Sequence, residues 1–482
     1  MSKFNTKDVH SHKTVTYEGG KAYTKTLEDE WTSMLFSTLL QDRFYENSEI
    51  QQKRFIDLTD KMIEKRGPEF VGKAAVFSRN VLGMRSISEL TAGILNRHSF
   101  DGKRQFYANY FRRPDGIGEV FSVIDMFGDK RSHALVRGAA DYLASQSAYT
   151  IGKYPMRDHK YTMYDIINIC HPKSQVIDLY QRHHLKHSDT WESKIHNTHG
   201  IERENEWKRL VEEKKLGYLA LLRNLRNILN CDSLSLSWVK ENVCPQIENK
   251  EAIEKSLIWP YQIYTAYKAV ENDLPLCVTV SLSNAFEIAT ANMPELNGKN
   301  LVVLDVSGSM DSRMSKNNKL TIKEVCAVYA AAIYAATGNC DFIKFGSYAK
   351  KMALNKKKHI FALISDMAKN DGCDYGTNIN TVFEILDQHY DRIFLFSDMQ
   401  VMREDHYWCQ DKSAQMCFTE YQERYGKTKM YSFDLGNYPS QLVSSRKELV
   451  FITALNDTVF KAIEMLEDPE KSLIDLIEEY QC

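Results

Sequence analysis

Along the first 290 or so positions, hydrophobic residues recur at three- and four-residue steps, the spacing of one buried helical face. The stretch Glu69-Phe-Val-Gly-Lys-Ala-Ala-Val-Phe-Ser-Arg-Asn-Val-Leu82 has this period, as do Ser132 to Gln146, Met163 to Ile169 and Lys214 to Leu229. In the last of these, Leu219, Leu222, Leu225 and Leu229 share a side. No convincing β run interrupts them. Brief breaks such as Arg66-Gly-Pro-Glu and Arg113-Pro-Asp-Gly separate the helices, and many short helices with tight breaks predict stacked helix pairs rather than a single bundle. No clean repeat period is present.

After Asn284 the pattern changes to short apolar runs alternating with helices. Strands are predicted at Leu301 to Val306, Asp341 to Phe345, Arg392 to Ser397, Lys429 to Phe433 and Leu449 to Thr453. Helices are predicted at Thr321 to Thr337, Lys357 to Ala368, Asn378 to His389, Ala414 to Tyr425 and Thr458 to Leu466. Continuous apolar strands, each followed by a helix, predict a mostly parallel sheet covered on both faces. The expected fold is therefore multidomain: an α-helical repeat domain at 14–285, then an α/β doubly wound domain at 286–482. A length of 482 residues agrees with more than one core.

The longest strongly apolar stretch, Val325 to Ala336, is far short of the roughly 20 residues that span a bilayer, and Met1 to Gly20 is too polar for a signal-peptide core. No C-x-x-C pair occurs among the ten cysteines, so a reducing, cytoplasmic setting without membrane contact is expected. The net charge of −2 hides an asymmetry. Residues 1–285 carry 40 basic and 36 acidic side chains, and residues 61–200 carry 21 against 14. That points mildly to a polyanionic partner, although a solvated helical surface has the same look.

Ligands of doubly wound sheets sit beyond the carboxyl ends of the strands. Three segments fall there: Asp305-Val-Ser307-Gly308-Ser309, Gly376-Thr377-Asn378 and Ser397-Asp398. All offer oxygen donors and none an imidazole or thiolate, the set that suits a hard octahedral cation such as Mg²⁺. Helix capping is the competing role for the Ser and Asp residues. The D-x-S-G-S run, a threonine loop and a strand-end aspartate resemble the metal-ion-dependent adhesion site of the von Willebrand factor A domain. By that resemblance Ser307, Ser309 and Thr377 ligate the metal, while Asp305 and Asp398 hold coordinated waters.

In the helical half, Glu18-Gly-Gly, Asp165-Ile-Ile-Asn-Ile-Cys-His171-Pro172, Ala220-Leu-Leu-Arg-Asn-Leu-Arg226 and the helix Val278 to Ala289 resemble the Ro autoantigen, or TROVE, family over essentially the whole chain. The resemblance implies a closed ring of HEAT-like helical repeats that binds small noncoding Y RNA outside and single-stranded 3′ ends of misfolded RNA in its hole. It implies a ribonucleoprotein component, with a partner's carboxylate completing the metal site. The matching basic segment is Lys153-Tyr-Pro-Met-Arg157-Asp-His159-Lys160-Tyr161, in which Lys153 and Arg157 align on basic family positions, while Met163 replaces a histidine. Basic residues with interleaved tyrosines offer charge neutralisation and stacking; a solvated loop with tyrosines lying on a neighbouring helix is the plainer reading. Arg112 and Arg113, near a turn, are further candidates, and Arg223, Arg226 and the helix-end His171 weaker ones.

Catalytic signatures are missing: there is no phosphate loop with lysine, no H-E-x-x-H and no G-x-S-x-G. A binding protein is expected rather than an enzyme. The rival reading is a metal-dependent adhesion or scaffold protein that does not bind RNA.

Overall fold

In the computed structural model, described residues are 13–17, 19–37, 47–154, 156–185, 191–196, 198–271, 275–293, 295–313, 320–355, 358–401, 412–435, 440–442, 449–452, 463 and 473–480. The chain packs as two compact units, one made of residues 1–25 and 190–464, the other of 26–189 and 465–482. These units cut across the boundary at 285/286 read from the sequence pattern. Helices between Gly200 and Ala289 belong with the sheet because they share its core.

The first unit contains strands β1 (Lys13–Val15), β2 (Lys21–Thr24), β3 (Asn300–Asp305), β4 (Cys340–Phe345), β5 (Ala349–Met352), β6 (Arg392–Ser397), β7 (Lys429–Asp434), β8 (Ser440–Gln441) and β9 (Leu449–Ile452). Six of them form one sheet in the order β5-β4-β3-β6-β7-β9, parallel except for the edge strand β5. Strand order reverses between β3 and β6, which opens the crevice of a doubly wound fold there. Alternation along the strands divides the side chains between two cores. Val302, Leu304, Phe394, Phe396, Tyr431 and Phe433 join helices Tyr218–Leu229, Pro260–Val270, Leu276–Ala289, Ile322–Thr337 and Ile360–Ala368. Leu301, Val303, Ile393, Leu395 and Met430 pack with Val382, Phe418 and Tyr421 on the opposite face.

Several predicted elements are shifted. The helix expected from Lys214 begins at Tyr218, because Lys214 takes a left-handed φ of 52° after the preceding helix ends. The helix expected over Asn378 to His389 is only Asn380–Glu384; beyond it Gln388 donates to Asp341 and Tyr390, a tertiary pairing in place of helical turns. β runs do occur before residue 290: β1 and β2 form an antiparallel hairpin, and β2 pairs with β8. The helix expected at Thr458 to Leu466 lies outside the described residues apart from Ile463.

The second unit is helical. Successive helices pack on neighbours further along, as Ser86–Ile94 does on Asp115–Met126 and Lys103–Tyr110 on His133–Ala144. Glycine permits the second crossing, since a Cβ on Gly138 would lie 2.6 Å from the Arg104 carbonyl oxygen. Tyr107, Tyr110, Phe121, Leu143 and Ile166 fill the shared core.

Beside that core, Glu89 lies buried with Arg85 3.8 Å away and no hydrogen bond to its Oε1. Burial raises its pKa to about 7, partly offset by Arg85 and Arg79. A carboxyl whose folded pKa is raised adds stability that is present below its unfolded value and is lost as pH rises through about 7. Glu89→Gln is therefore expected to raise the melting temperature at pH 8, by an equivalent of roughly 1–3 kcal/mol, and to change it little at pH 4. Parallel pH profiles for the two proteins would refute this.

Candidate cation rim and RNA interface

The rim is built at the carboxyl ends of β3 and β6. The register that sets Leu304 beside Phe396 and Ser397 beside Asp434 puts Asp305, Ser397 and Asp434 in one row on one face. Asp305 is fully buried. Its Oδ1 accepts the Ser307 N–H at 2.9 Å and its Oδ2 the Ser397 hydroxyl at 2.6 Å. Ser307 and Ser309 stand with their hydroxyl oxygens 3.4 Å apart. The Ser309 hydroxyl holds the Asp398 pKa down from its side, and Asp398 accepts the Gln400 N–H at 3.3 Å.

The threonine loop is tied to the same place by backbone. Gly308 N–H donates to the Tyr375 carbonyl at 3.1 Å, the Asn370 side-chain amide donates to the Val306 carbonyl at 3.0 Å, and Asn378 N–H donates to Gly346 at 2.8 Å. Thr377, two residues beyond Tyr375, is buried at this junction. Lys344, buried in β4, donates to the carbonyls of Asp366 and Lys369 and to Asp371, anchoring the start of the loop. The fold thus brings all five predicted cation-site residues to one rim.

Burial pushes Asp305 and Asp398 above the usual carboxylate range, and the charge of Asp305 pushes Asp398 further. Two buried carboxylates beside two hydroxyls and Thr377 form an oxygen-only donor set, which fits a hard divalent cation and suits no soft one. Among the described residues no group of three or more His, Cys, Asp or Glu is placed to hold a metal, so a cation here depends on the hydroxyls.

Three of the basic candidates, Arg113, His159 and Lys160, meet acidic residues of the helix Asp115–Met126 in the second unit. Arg113 grips Asp115 through two hydrogen bonds of 3.0 and 2.7 Å and lies over the Tyr154 ring. His159 stands 3.8 Å from Glu119, and Lys160 is 2.7 Å from Asp125. Arg112 donates to Asn80 at 2.8 Å, Lys153 to the Tyr149 hydroxyl at 3.3 Å, and Arg157 is exposed in the turn. Tyr161 is used internally: its ring meets Phe121 edge-on and its hydroxyl bonds Asp125 and Arg131. The loop and the two arginines therefore form one surface, on which carboxylates already hold Arg113 and Lys160.

Of the weaker candidates, His171 is the left-handed residue that ends the helix Met163–Cys170, its N–H bonded to Ile167. Arg223 and Arg226 are exposed, opposite the buried Leu221, Leu222 and Leu225. Met163 is fully buried, as its apolar side chain requires.

Sequence reasoning did not find Asp434, Lys25 or Gln400. Lys25, with no side-chain exposure, pairs with Asp434 at 2.7 Å, and Gln400 accepts the Tyr17 N–H at 2.9 Å. Asp434 had a signal, a carboxylate ending an apolar strand as Asp305 does; Lys25 had none.

With cation absent, Asp305→Asn relieves the repulsion with Asp398, so its melting temperature should match or exceed that of the unaltered chain. Millimolar Mg²⁺ or Mn²⁺ is expected to raise the melting temperature of the unaltered chain only, by about 2.7 kcal/mol at a hundredfold excess over the dissociation constant. The rise should fade from pH 8 to pH 5, because protons compete for the carboxylates whose affinity for them burial has raised. A melting temperature indifferent to both metals would remove the site.

Residues 180–335 match the family model of the TROVE domain. No curated protein sequence matches the chain. The fold is similar to that of the Ro (RSR) protein of Deinococcus radiodurans, with a TM-score of 0.65 and 15% identity, over 91% of this chain and 100% of that one. At that identity the likeness speaks for the fold alone. Residues 180–335 are thus similar to a TROVE domain, in a chain whose fold is similar to that of a Ro protein.

Proposed function

We propose that this Ro-type protein is the RNA-binding component of a ribonucleoprotein that holds a small noncoding, Y-like RNA and the single-stranded 3′ ends of misfolded or structured RNA, in RNA quality control. The observation that carries the reading is the placement of Arg113, His159 and Lys160 on the acidic residues of the helix Asp115–Met126, with Arg112 next to Arg113 in the chain and Lys153 and Arg157 exposed in and beside the loop that carries His159 and Lys160. Such a cluster neutralises phosphates by charge and leaves sequence to be read elsewhere. Lys153 and Arg157, which align on basic positions of the family, bear most of the contact, with Arg113 and Lys160 beside Asp115 and Asp125. Tyr154 lies under Arg113, and Tyr161 supports the loop from within.

The rim adds a second capacity. Mg²⁺ at Ser307, Ser309 and Thr377, with Asp305 and Asp398 behind, leaves coordination positions for waters and for one outside carboxylate, which a protein partner would supply. No step of bond breaking is assigned to either site. No helix among the described residues is long and apolar enough to cross a membrane, so RNA and protein are the proposed partners.

A structured RNA with an unpaired 3′ tail is expected to bind more tightly than the same RNA with a blunt end, since unpaired bases are free to stack. Equal affinity in a filter-binding titration would leave outer-surface binding and remove the role of the 3′ end. Replacing Lys153 and Arg157 together by alanine should lower the slope of log K against log salt by roughly 1.4 to 1.8 for a folded RNA. The same change should alter binding of a plain single strand much less. Unchanged slopes for both ligands would count against this surface.

A further inference from the structure

A fully buried lysine side chain is rare, and where one occurs it is paired. Lys25 is such a residue: it follows β2 directly, and its Nζ lies 2.7 Å from Asp434, itself buried at the end of β7. The contact does not stand alone. At the hairpin turn, the Thr16 hydroxyl donates to the Val401 carbonyl at 2.7 Å, and Tyr17 N–H donates to Gln400 Oε1 at 2.9 Å. Gln400, also buried, passes the contact inward: its N–H meets Asp398 Oδ1 and its Nε2 meets the Asp398 carbonyl, both at 3.3 Å. β2 pairs with β8, at Tyr23 with Gln441 and Thr24 with Ser440, just beyond β7. The hairpin thus grips the segments that leave both β6 and β7. Charge agrees: three buried carboxylates, Asp305, Asp398 and Asp434, against one ammonium leave two negative charges when ionised, the charge of one divalent cation.

We propose that the N-terminal hairpin, residues 13–25, is a working part of the cation rim: by holding Gln400 and Asp434 it presets Asp398, so that hairpin docking and cation binding stabilise each other. This rests on the reading of the rim as a cation site. The reciprocity is required of any two coupled events. Groups that orient a metal's ligands from outside commonly change affinity 10- to 100-fold when removed. Thr16 touches no proposed ligand, so an effect of altering it can reach the cation only through the hairpin.

The test uses the full chain and Mn²⁺, with affinity read from the electron paramagnetic resonance of the free ion and docking read from hydrogen exchange of peptides covering residues 13–25. Mn²⁺ is expected to slow exchange there in the unaltered chain and to leave it unchanged in Asp305→Asn. Gln400→Ala should weaken Mn²⁺ binding about tenfold, and Thr16→Val about fivefold, with cation-induced protection reduced in both. Mn²⁺ binding to the unaltered chain with no change in hairpin exchange, or Thr16→Val and Gln400→Ala at full affinity, overturns the proposal and leaves the rim standing. Failure of the unaltered chain to bind Mn²⁺ at all overturns the rim reading and the proposal together.

Discussion

The row of buried polar groups at the ends of β3, β6 and β7 is the constraint to which the surrounding loops conform. Asp305 is held by Ser307 and Ser397, Asp398 by Ser309 and Gln400, and Asp434 by Lys25. A buried carboxylate without such partners costs several kcal/mol, so each must be met by a donor: Ser307 and Gln400 stand two residues from the carboxylates they meet, while Ser397 and Lys25 come from distant parts of the chain. The Asn370 bridge to Val306 and the hairpin at the start of the chain both bring partners to this end of the sheet. What remains uncompensated is the repulsion between Asp305 and Asp398.

The helical surface solves the opposite problem. Cations there are numerous, and acidic residues of the helix Asp115–Met126 take up part of the charge. Asp115 is shared by Arg85 and Arg113, and Asp125 by Arg131, Lys160 and Tyr161. These pairs shape the loop and hold its tyrosines in fixed places. A surface arranged in this way sets orientation on a polyanion more than it adds net charge, since exposed ion pairs are weak and open readily to an incoming phosphate.

The core of the first unit shows why its helices are not a separate layer. Val302 and Leu304 of β3, Phe286 from the helix Leu276–Ala289 and Leu225 from Tyr218–Leu229 belong to one continuous core. The family match over residues 180–335 likewise runs through the helices into the first strand and helix of the α/β domain. Tyr267 stacks on Phe361 at 4.2 Å between ring centres, joining a helix read as part of the repeat domain to one that covers the sheet.

Local pattern by itself determined most elements and the core of the rim. Short continuous apolar runs marked β3, β6 and β7, and the alternation of such runs with helices marked Ile322–Thr337 and Ala414–Tyr425, within a residue or so, because burial is written in consecutive side chains. Asp305, Ser307, Ser309, Thr377 and Asp398 were legible because strand-end position in a parallel sheet follows from the strands. Tertiary structure alone decided which charges are matched: Lys25 meets Asp434 across 409 positions, and Arg113 and Lys160 are claimed by Asp115 and Asp125. It also decided that the hairpin pairs with β8 and that the units divide at 25/26 and 189/190 rather than at 285/286. The reason is physical: a face or a cap is specified by neighbours in the chain, whereas the partner of a buried charge is whichever group the finished fold brings within about 3 Å.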